Sequence, residues 1–285
     1  MLNWRQIMIE TFVEQLQKAY QRTYTNLDRE FGDIVAWSGR LVLENISNSD
    51  ALYHDVEHTI MVTLAGLAII DGKHLREGGV SPRDWMHFVI ALLCHDIGYV
   101  KGVCKNDTRD SFATGIGDEV APLPPGGTDI VLTPYHVDRS KLYVRERFGG
   151  SLLKEMNKSL DAELIASFIE VTRFPSPEGK LYKDTKSYGG LVRAADFIGQ
   201  LGDPGQLRKA PALFYEFQEI GANEKYGYKS PEDIRAKYSK FYWEQVSPYI
   251  QDALVYLRLT QEGKQWIANM QSHVFESEHG NLGQL

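Results

Sequence analysis

One apolar segment, at positions 91–99, constrains the fold of this chain more than any other. Leu92, Leu93 and Cys94 lead directly into His95 and Asp96. An uncompensated polar group in an apolar interior costs roughly 2–7 kcal/mol, so two adjacent polar side chains at the buried end of an apolar helix need partners. The rest of the chain must therefore bring compensating groups to this helix end.

Hydrophobic periodicity predicts an all-α fold. Apolar residues recur every three or four positions, as one helix face requires, and no stretch shows the alternation of a strand. Ser81 followed by Pro82 is typical of a helix start, and Gly98 is typical of a helix end. We predict helices over 4–20, 27–43, 51–70, 81–95, 138–148, 161–171 and 189–202, one long helix from 230 and a last helix from 260.

The segment 100–132 differs from the rest of the chain in its glycines, its prolines and its weak periodicity. Loops of this length without regular structure are uncommon and often functional, so this one is either a lid or binding loop or a flexible surface insertion. Thr133 and Pro134 then repeat the helix-start signal. This places His136 in the first turn of the next helix.

Charge and cysteine content exclude several classes of function. The 285 residues carry a net charge of -7, so no global positive field attracts a polynucleotide or an anionic membrane. No apolar run reaches the roughly 20 residues that a membrane span needs. The cysteines, Cys94 and Cys104, are too few for a disulfide framework, which fits a reducing cytoplasm.

Histidines and aspartates occur in a pattern that predicts a metal site. His54 and His58 are four positions apart, so on a helix both project from one face. His95 adds a further imidazole, and Asp96 beside it adds a carboxylate. Asp196 is a lone carboxylate in an otherwise apolar helix. Imidazole and carboxylate together are the ligand set of a divalent ion such as Mn, Fe, Zn or Ni.

The order His58, His95-Asp96, Asp196 on successive helices resembles the H…HD…D signature of the HD superfamily of metal-dependent phosphohydrolases. The segment 53–58, Tyr-His-Asp-Val-Glu-His, also resembles the Tyr-His-Asn-x-x-His stretch of the cyclic-nucleotide phosphodiesterases in that superfamily. The resemblance implies an HD-domain helical bundle with additional N- and C-terminal helices. It implies a single domain over 1–285, with an HD-type core at about 51–203 and a helical extension at about 204–275.

The resemblance also implies roles for single residues. His58, His95, Asp96 and Asp196 would bind the first metal ion, and His54 would protonate the leaving oxygen. His136 is the only histidine placed to hold a second ion, with Asp96 as the bridge, because no histidine occurs in 97–102. The expected cofactor is one or two divalent ions, Mn, Fe, Mg, Zn or Ni.

The implied reaction is hydrolysis of a small phosphate ester, such as a cyclic nucleotide, by metal-activated water. Lys101 and Arg139 are the predicted phosphate contacts, or else ordinary solvated or ion-paired cations. Two alternatives remain: a non-haem iron oxygenase of the same fold, which would need more histidines, and a non-catalytic sensory or binding module. The aromatic residues after 213 form either core or a homodimer contact.

Overall fold

Helices dominate the computed structural model, which describes residues 3–150 and 160–280. In this described part, the only sheet is an antiparallel pair of short strands, β1 (Ser111–Ala113) and β2 (Val120–Pro122). Phe112 lies opposite Ala121 in this pair. The prediction of an all-α class is therefore confirmed. No described helix combines the length and the apolarity that crossing a bilayer requires.

The N-terminal two thirds of the chain supply the helices that later carry the site residues. Most of the predicted helices are present, with ends shifted by a few residues. The helices of this part are α1 (Trp4–Tyr24), α2 (Arg29–Ile46), α3 (Val56–Glu77), α4 (Pro82–Cys94), α5 (His136–Phe148), α6 (Ala162–Glu170), α7 (Lys180–Lys183), which was not predicted, and α8 (Tyr188–Leu201).

Of the two C-terminal helices predicted, the last is present and the long one is interrupted. The expected long helix from 230 is wrong, because the chain there forms several pieces joined by a π-helical turn at Tyr242–Val246. Pro248 has no N–H to continue an α-helical ladder, which accounts for the interruption just before it. The pieces are α9 (Gln206–Glu219), α10 (Ala222–Tyr226), α11 (Pro231–Ala236), α12 (Tyr238–Phe241), α13 (Ser247–Leu257) and α14 (Gln261–His279).

The segment 100–132 is tied to the body of the protein. Besides β1 and β2 it contains a 3₁₀ turn, Asp129–Leu132, and a second such turn, Ile97–Tyr99, precedes it. The Thr128 backbone N–H and hydroxyl donate to the two carboxylate oxygens of Glu219 on α9, both at 2.7 Å. The end of the segment therefore forms a fixed wall beside α9.

Close packing of α3 against α8 brings the future site together. Both helices contribute to one buried apolar cluster that extends from Ile9 to Val274. Gly199 allows the two backbones to approach, because a Cβ atom there would lie 2.5 Å from the Cα of Val62. His58 lies one turn before Val62, and Asp196 one turn before Gly199, so the same contact places these two side chains side by side.

Candidate metal centre

The His95-Asp96 doublet lies where α4 ends. The Nδ1 atom of His95 donates to the carbonyl oxygen of Leu92 at 2.7 Å, which leaves Nε2 as the atom that faces the site. That Nε2 is buried and makes no hydrogen bond to any described residue. A buried imidazole nitrogen that is oriented through its other nitrogen and makes no hydrogen bond of its own is the arrangement of a metal ligand.

Three more side chains converge on this nitrogen. Nε2 of His58 lies 3.2 Å from Oδ2 of Asp96 and 3.7 Å from Oδ1 of Asp196. Nε2 of His95 lies 3.1 Å and 3.7 Å from the same two oxygens. Ligands about 2.0–2.2 Å from one ion are about 3–3.6 Å from each other, so these four nitrogen–oxygen distances are close to the spacing of a first coordination shell.

The charges in this cluster depend on one another. Burial raises the pKa of the Asp196 carboxyl. Burial also opposes ionisation of Asp96, but His95 and His58 outweigh it and hold the pKa of Asp96 well below its usual range. Burial lowers the pKa of His95, and the attraction of Asp96 outweighs it and raises that pKa to about 9. A cation, either a proton or a metal ion, therefore belongs at this point.

His136 addresses the other oxygen of Asp96. It is the first residue of α5, as predicted, and its Nδ1 donates to the carbonyl oxygen of Thr133 at 2.6 Å. Its Nε2 lies 3.9 Å from Oδ1 of Asp96, whereas Oδ2 faces His58 and His95. Burial lowers the pKa of His136, which favours the neutral, ligating form. Asp96 thus directs Oδ2 towards His58 and His95 and Oδ1 towards His136, which gives one oxygen for each of two adjacent candidate ion positions.

A hydrogen-bonded contact between the doublet and α5 fixes this arrangement. The backbone N–H of Gly98 donates to Oγ of Ser140 at 2.9 Å, and that hydroxyl donates to the carbonyl oxygen of His95 at 2.8 Å. Gly98 permits the contact, because a Cβ atom there would lie 1.9 Å from the carbonyl oxygen of His136.

The expectation that His54 and His58 share a helix face is wrong. Helix α3 begins only at Val56, since Asp55 is its N-cap and accepts from the His58 backbone N–H at 3.0 Å. His54 therefore lies before the helix. The two imidazoles nevertheless come together, with ring centroids 5.5 Å apart, because the preceding segment turns back over the site.

Glu216 holds His54 in place and is a site residue that the sequence did not indicate. Oε2 of Glu216 lies 2.6 Å from Nδ1 of His54, and Oε1 accepts from the backbone N–H of Tyr53 at 2.7 Å. Burial lowers the pKa of His54, but Glu216 outweighs it and raises that pKa to about 9. The helical periodicity could have indicated that Glu216 is buried, because it follows Ala210 and Leu213 on the same buried face of α9.

Tyr99 also belongs to the site, at the end of the 3₁₀ turn that follows the doublet. Its ring stacks between the imidazoles of His54 and His136, at centroid distances of 4.6 and 4.4 Å. It thereby separates the two histidines and fixes the plane of each.

The predicted phosphate contacts lie elsewhere. Arg139 is fully buried, and its guanidinium donates to both carboxylate oxygens of Asp107 at 2.9 Å. The ammonium of Lys101 donates to the carbonyl oxygen of Gly127 at 2.7 Å and lies 3.4 Å from Asp129. Neither cation lines the cavity at the histidine cluster. Both side chains therefore hold the segment 100–132 in place.

A cavity opens over the cluster, with about 170 Å³ that water molecules can occupy. Its floor is formed by the polar side chains His54, His58, Asp96, His136 and Asp196. Its walls are mainly apolar and include Phe174, Phe197, Leu213, Phe217, Ile220 and Tyr226. No lysine or arginine is among the described residues that line it.

The chain belongs to the Npun_R2479-like family, whose family model matches residues 2–280. A search of curated proteins finds no match.

Proposed function

We propose that this Npun_R2479-like chain is a metal-dependent phosphohydrolase that cleaves a small phosphate ester. The observation that carries the proposal is the convergence of His58, Asp96 and Asp196 on the buried Nε2 of His95, which lies 3.1 Å from Oδ2 of Asp96 but makes no hydrogen bond. Two imidazoles and two carboxylates in a closed cluster favour a divalent ion such as Mn, Fe, Zn or Ni over a purely structural arrangement. His136 and the second oxygen of Asp96 would hold a second ion beside the first.

A divalent ion supplies activated water at neutral pH and neutralises charge on a phosphoryl oxygen. The residues of the chain contribute the rest of the chemistry. His54 lines the cavity and is protonated at neutral pH, because Glu216 raises its pKa to about 9. Since Nδ1 is held by Glu216, Nε2 is the atom left to donate a proton to the leaving oxygen. Tyr99 keeps the imidazole plane of His54 fixed during the transfer.

The charge of the cavity favours a phosphodiester over a phosphomonoester. Its described lining offers no lysine or arginine, so only the metal and His54 would balance the charge of the substrate. A phosphodiester carries one negative charge, whereas a monoester carries close to two at neutral pH. The aromatic walls, Phe174 and Tyr226 among them, suit the base of a cyclic nucleotide.

We assign the activity to the cytoplasm and to a small-molecule substrate. Cys94 and Cys104 are both buried and free, which fits a reducing compartment. The net charge of -7 disfavours a polynucleotide substrate.

The test is hydrolysis by the full chain supplied in turn with Mn²⁺, Fe²⁺, Zn²⁺, Ni²⁺ and Mg²⁺. Substrates are bis(p-nitrophenyl) phosphate, p-nitrophenyl phosphate and cyclic nucleotides. We expect metal-dependent turnover that is faster on the diester than on the monoester. Metal binding without hydrolysis of any ester would contradict the proposal and favour the non-catalytic alternative.

A further inference from the structure

A second groove adjoins the metal cavity and shares a wall with it. Phe174, Phe217 and Tyr226 line both spaces. The groove offers about 390 Å³ that water can occupy, compared with about 170 Å³ at the metal cavity. Phe174 and Tyr226 are 40% and 36% exposed. The shared wall is therefore an accessible aromatic surface against which a planar group can pack.

The far side of the groove is positively charged. Lys225, Lys237 and Lys240 line it, against one carboxylate, Glu244. None of these lysines forms an ion pair with a described carboxylate. The ammonium groups of Lys225 and Lys237 instead lie over the rings of Tyr226 and Tyr228. Three lysines gathered around one groove, in a chain whose net charge is -7, create a local site for an anion.

One of these lysines is fixed in position. Nζ of Lys237 donates to the carbonyl oxygens of Tyr226 at 3.0 Å and Gly227 at 2.8 Å. It also lies 4.9 Å from the centroid of the Tyr228 ring. Lys225 and Lys240 are exposed, and their ammonium groups have no such backbone acceptors. These two are the donors available to a ligand.

We propose that the groove binds the part of the substrate that is not cleaved, an aromatic group carrying a second anionic group. The inference rests on the proposed function. The aromatic group packs on the shared wall while its second anion pairs with Lys225 and Lys240. The substrate class is then a nucleoside phosphodiester that bears an additional phosphate remote from the scissile bond. The metal cavity, which offers no lysine or arginine among its described lining residues, leaves recognition of that extra charge to the groove.

The first experiment tests the groove without relying on catalysis. Adenosine 5′-monophosphate is titrated calorimetrically into the full chain in the presence of EDTA. We expect binding that weakens with added salt and becomes about tenfold weaker in the double variant Lys225→Ala/Lys240→Ala. The matched control is Lys105→Ala/Lys264→Ala, which removes two exposed lysines outside the groove and should bind like the parent. No binding to the parent, or equal loss in both double variants, overturns the proposal.

The second experiment tests the link to the reaction. With Mn²⁺, adenosine 2′,3′-cyclic phosphate is compared with the same ester carrying a 5′-phosphate. We expect about a tenfold lower KM for the 5′-phosphorylated ester, and loss of that preference in Lys225→Ala/Lys240→Ala but not in the control. Equal KM values for both esters in the parent overturn the proposed substrate class. If neither ester is hydrolysed although the groove binds the monophosphate, the phosphohydrolase function fails and the anion groove stands.

Discussion

His54 and Glu216 form a buried pair, with 2.6 Å between Nδ1 and Oε2, although 162 residues separate them in the chain. The pair sets the protonation of an imidazole that lines the cavity. Its charge and its geometry are what give the proposed reaction a proton donor at neutral pH.

Replacing Glu216 by Gln should shift the pH dependence of hydrolysis. The pKa of His54 is raised to about 9, so the acid is present below that pH and is lost as the pH rises through it. Without the carboxylate, burial lowers the pKa, and the alkaline limb should move towards or below about 6.5. A bound metal ion moves the alkaline limb of the parent and that of the variant to lower pH, and the limb of the variant stays at the lower pH of the two. The measurement is the pH profile of kcat/KM on an ester with an alkoxide leaving group.

A change of substrate separates an acid from a structural residue. Bis(p-nitrophenyl) phosphate releases a stable nitrophenolate that needs little protonation. Glu216→Gln and His54→Ala should therefore slow the alkoxide ester by about a hundredfold or more and the nitrophenyl ester far less. Glu224→Gln, an exposed residue, is the control. Equal losses on both esters would show that the pair only supports the fold.

Metal uptake should release a proton from His95. Its pKa of about 9 means that the metal-free site holds a proton at neutral pH, and a ligating Nε2 must lose it. Affinity should therefore rise with pH up to about 9. Calorimetry at pH 7.5 in buffers of different ionisation enthalpy should report about one proton released per first ion. A binding enthalpy that is the same in all buffers would contradict this assignment.

Much of the site could be predicted from the sequence because its signal is local. His58, His95, Asp96 and Asp196 are polar residues in apolar helices, and burial without a partner makes each of them conspicuous. The position of His54 could not be predicted, because it depends on which polar residue caps α3. Asp55 is the N-cap there, a role that fits its residue type but that nothing in the pattern selects over an earlier start.

Long-range contacts were the other limit. Arg139 follows His136 by three residues, which suggested a phosphate contact, yet its donors are taken by Asp107 and by backbone carbonyls. The pairing of Glu216 with His54 also depends on how α9 packs over the site. Such pairings are set by tertiary structure, which periodicity within one helix does not encode.

Gly98→Ala should destabilise the fold around the site. The added methyl group would lie 1.9 Å from the carbonyl oxygen of His136, so the doublet and α5 have to move apart. We expect a loss of about 1–3 kcal/mol in the free energy of unfolding, measured with urea. Gly79→Ala is the matched control, since its nearest neighbour would be 3.7 Å away. Equal stability of the two variants would mean that the Gly98 contact is not close-packed in solution.

Asp107→Asn should show that Arg139 is a structural cation. Removing the carboxylate leaves a buried guanidinium unpaired, at a cost of about 3–5 kcal/mol in the free energy of unfolding. Burial raises the pKa of Asp107, but Arg139 outweighs it and lowers that pKa, so the stabilisation is present above about pH 4 and is lost as the pH falls through the lowered value. Asp110→Asn, at an exposed site, should change little. A raised KM at unchanged stability would instead restore Arg139 as a phosphate contact.

The most direct test of the metal centre is the metal content of matched variants together with their hydrolysis of bis(p-nitrophenyl) phosphate. The parent and His279→Ala, which removes an exposed histidine, should retain one or two ions after dialysis and should turn over alike. His95→Ala, Asp96→Ala and Asp196→Asn should bind metal at least about tenfold more weakly and should lose activity together with the ion. If these three variants bind metal and hydrolyse the ester as well as the parent does, the assignment of the cluster is wrong.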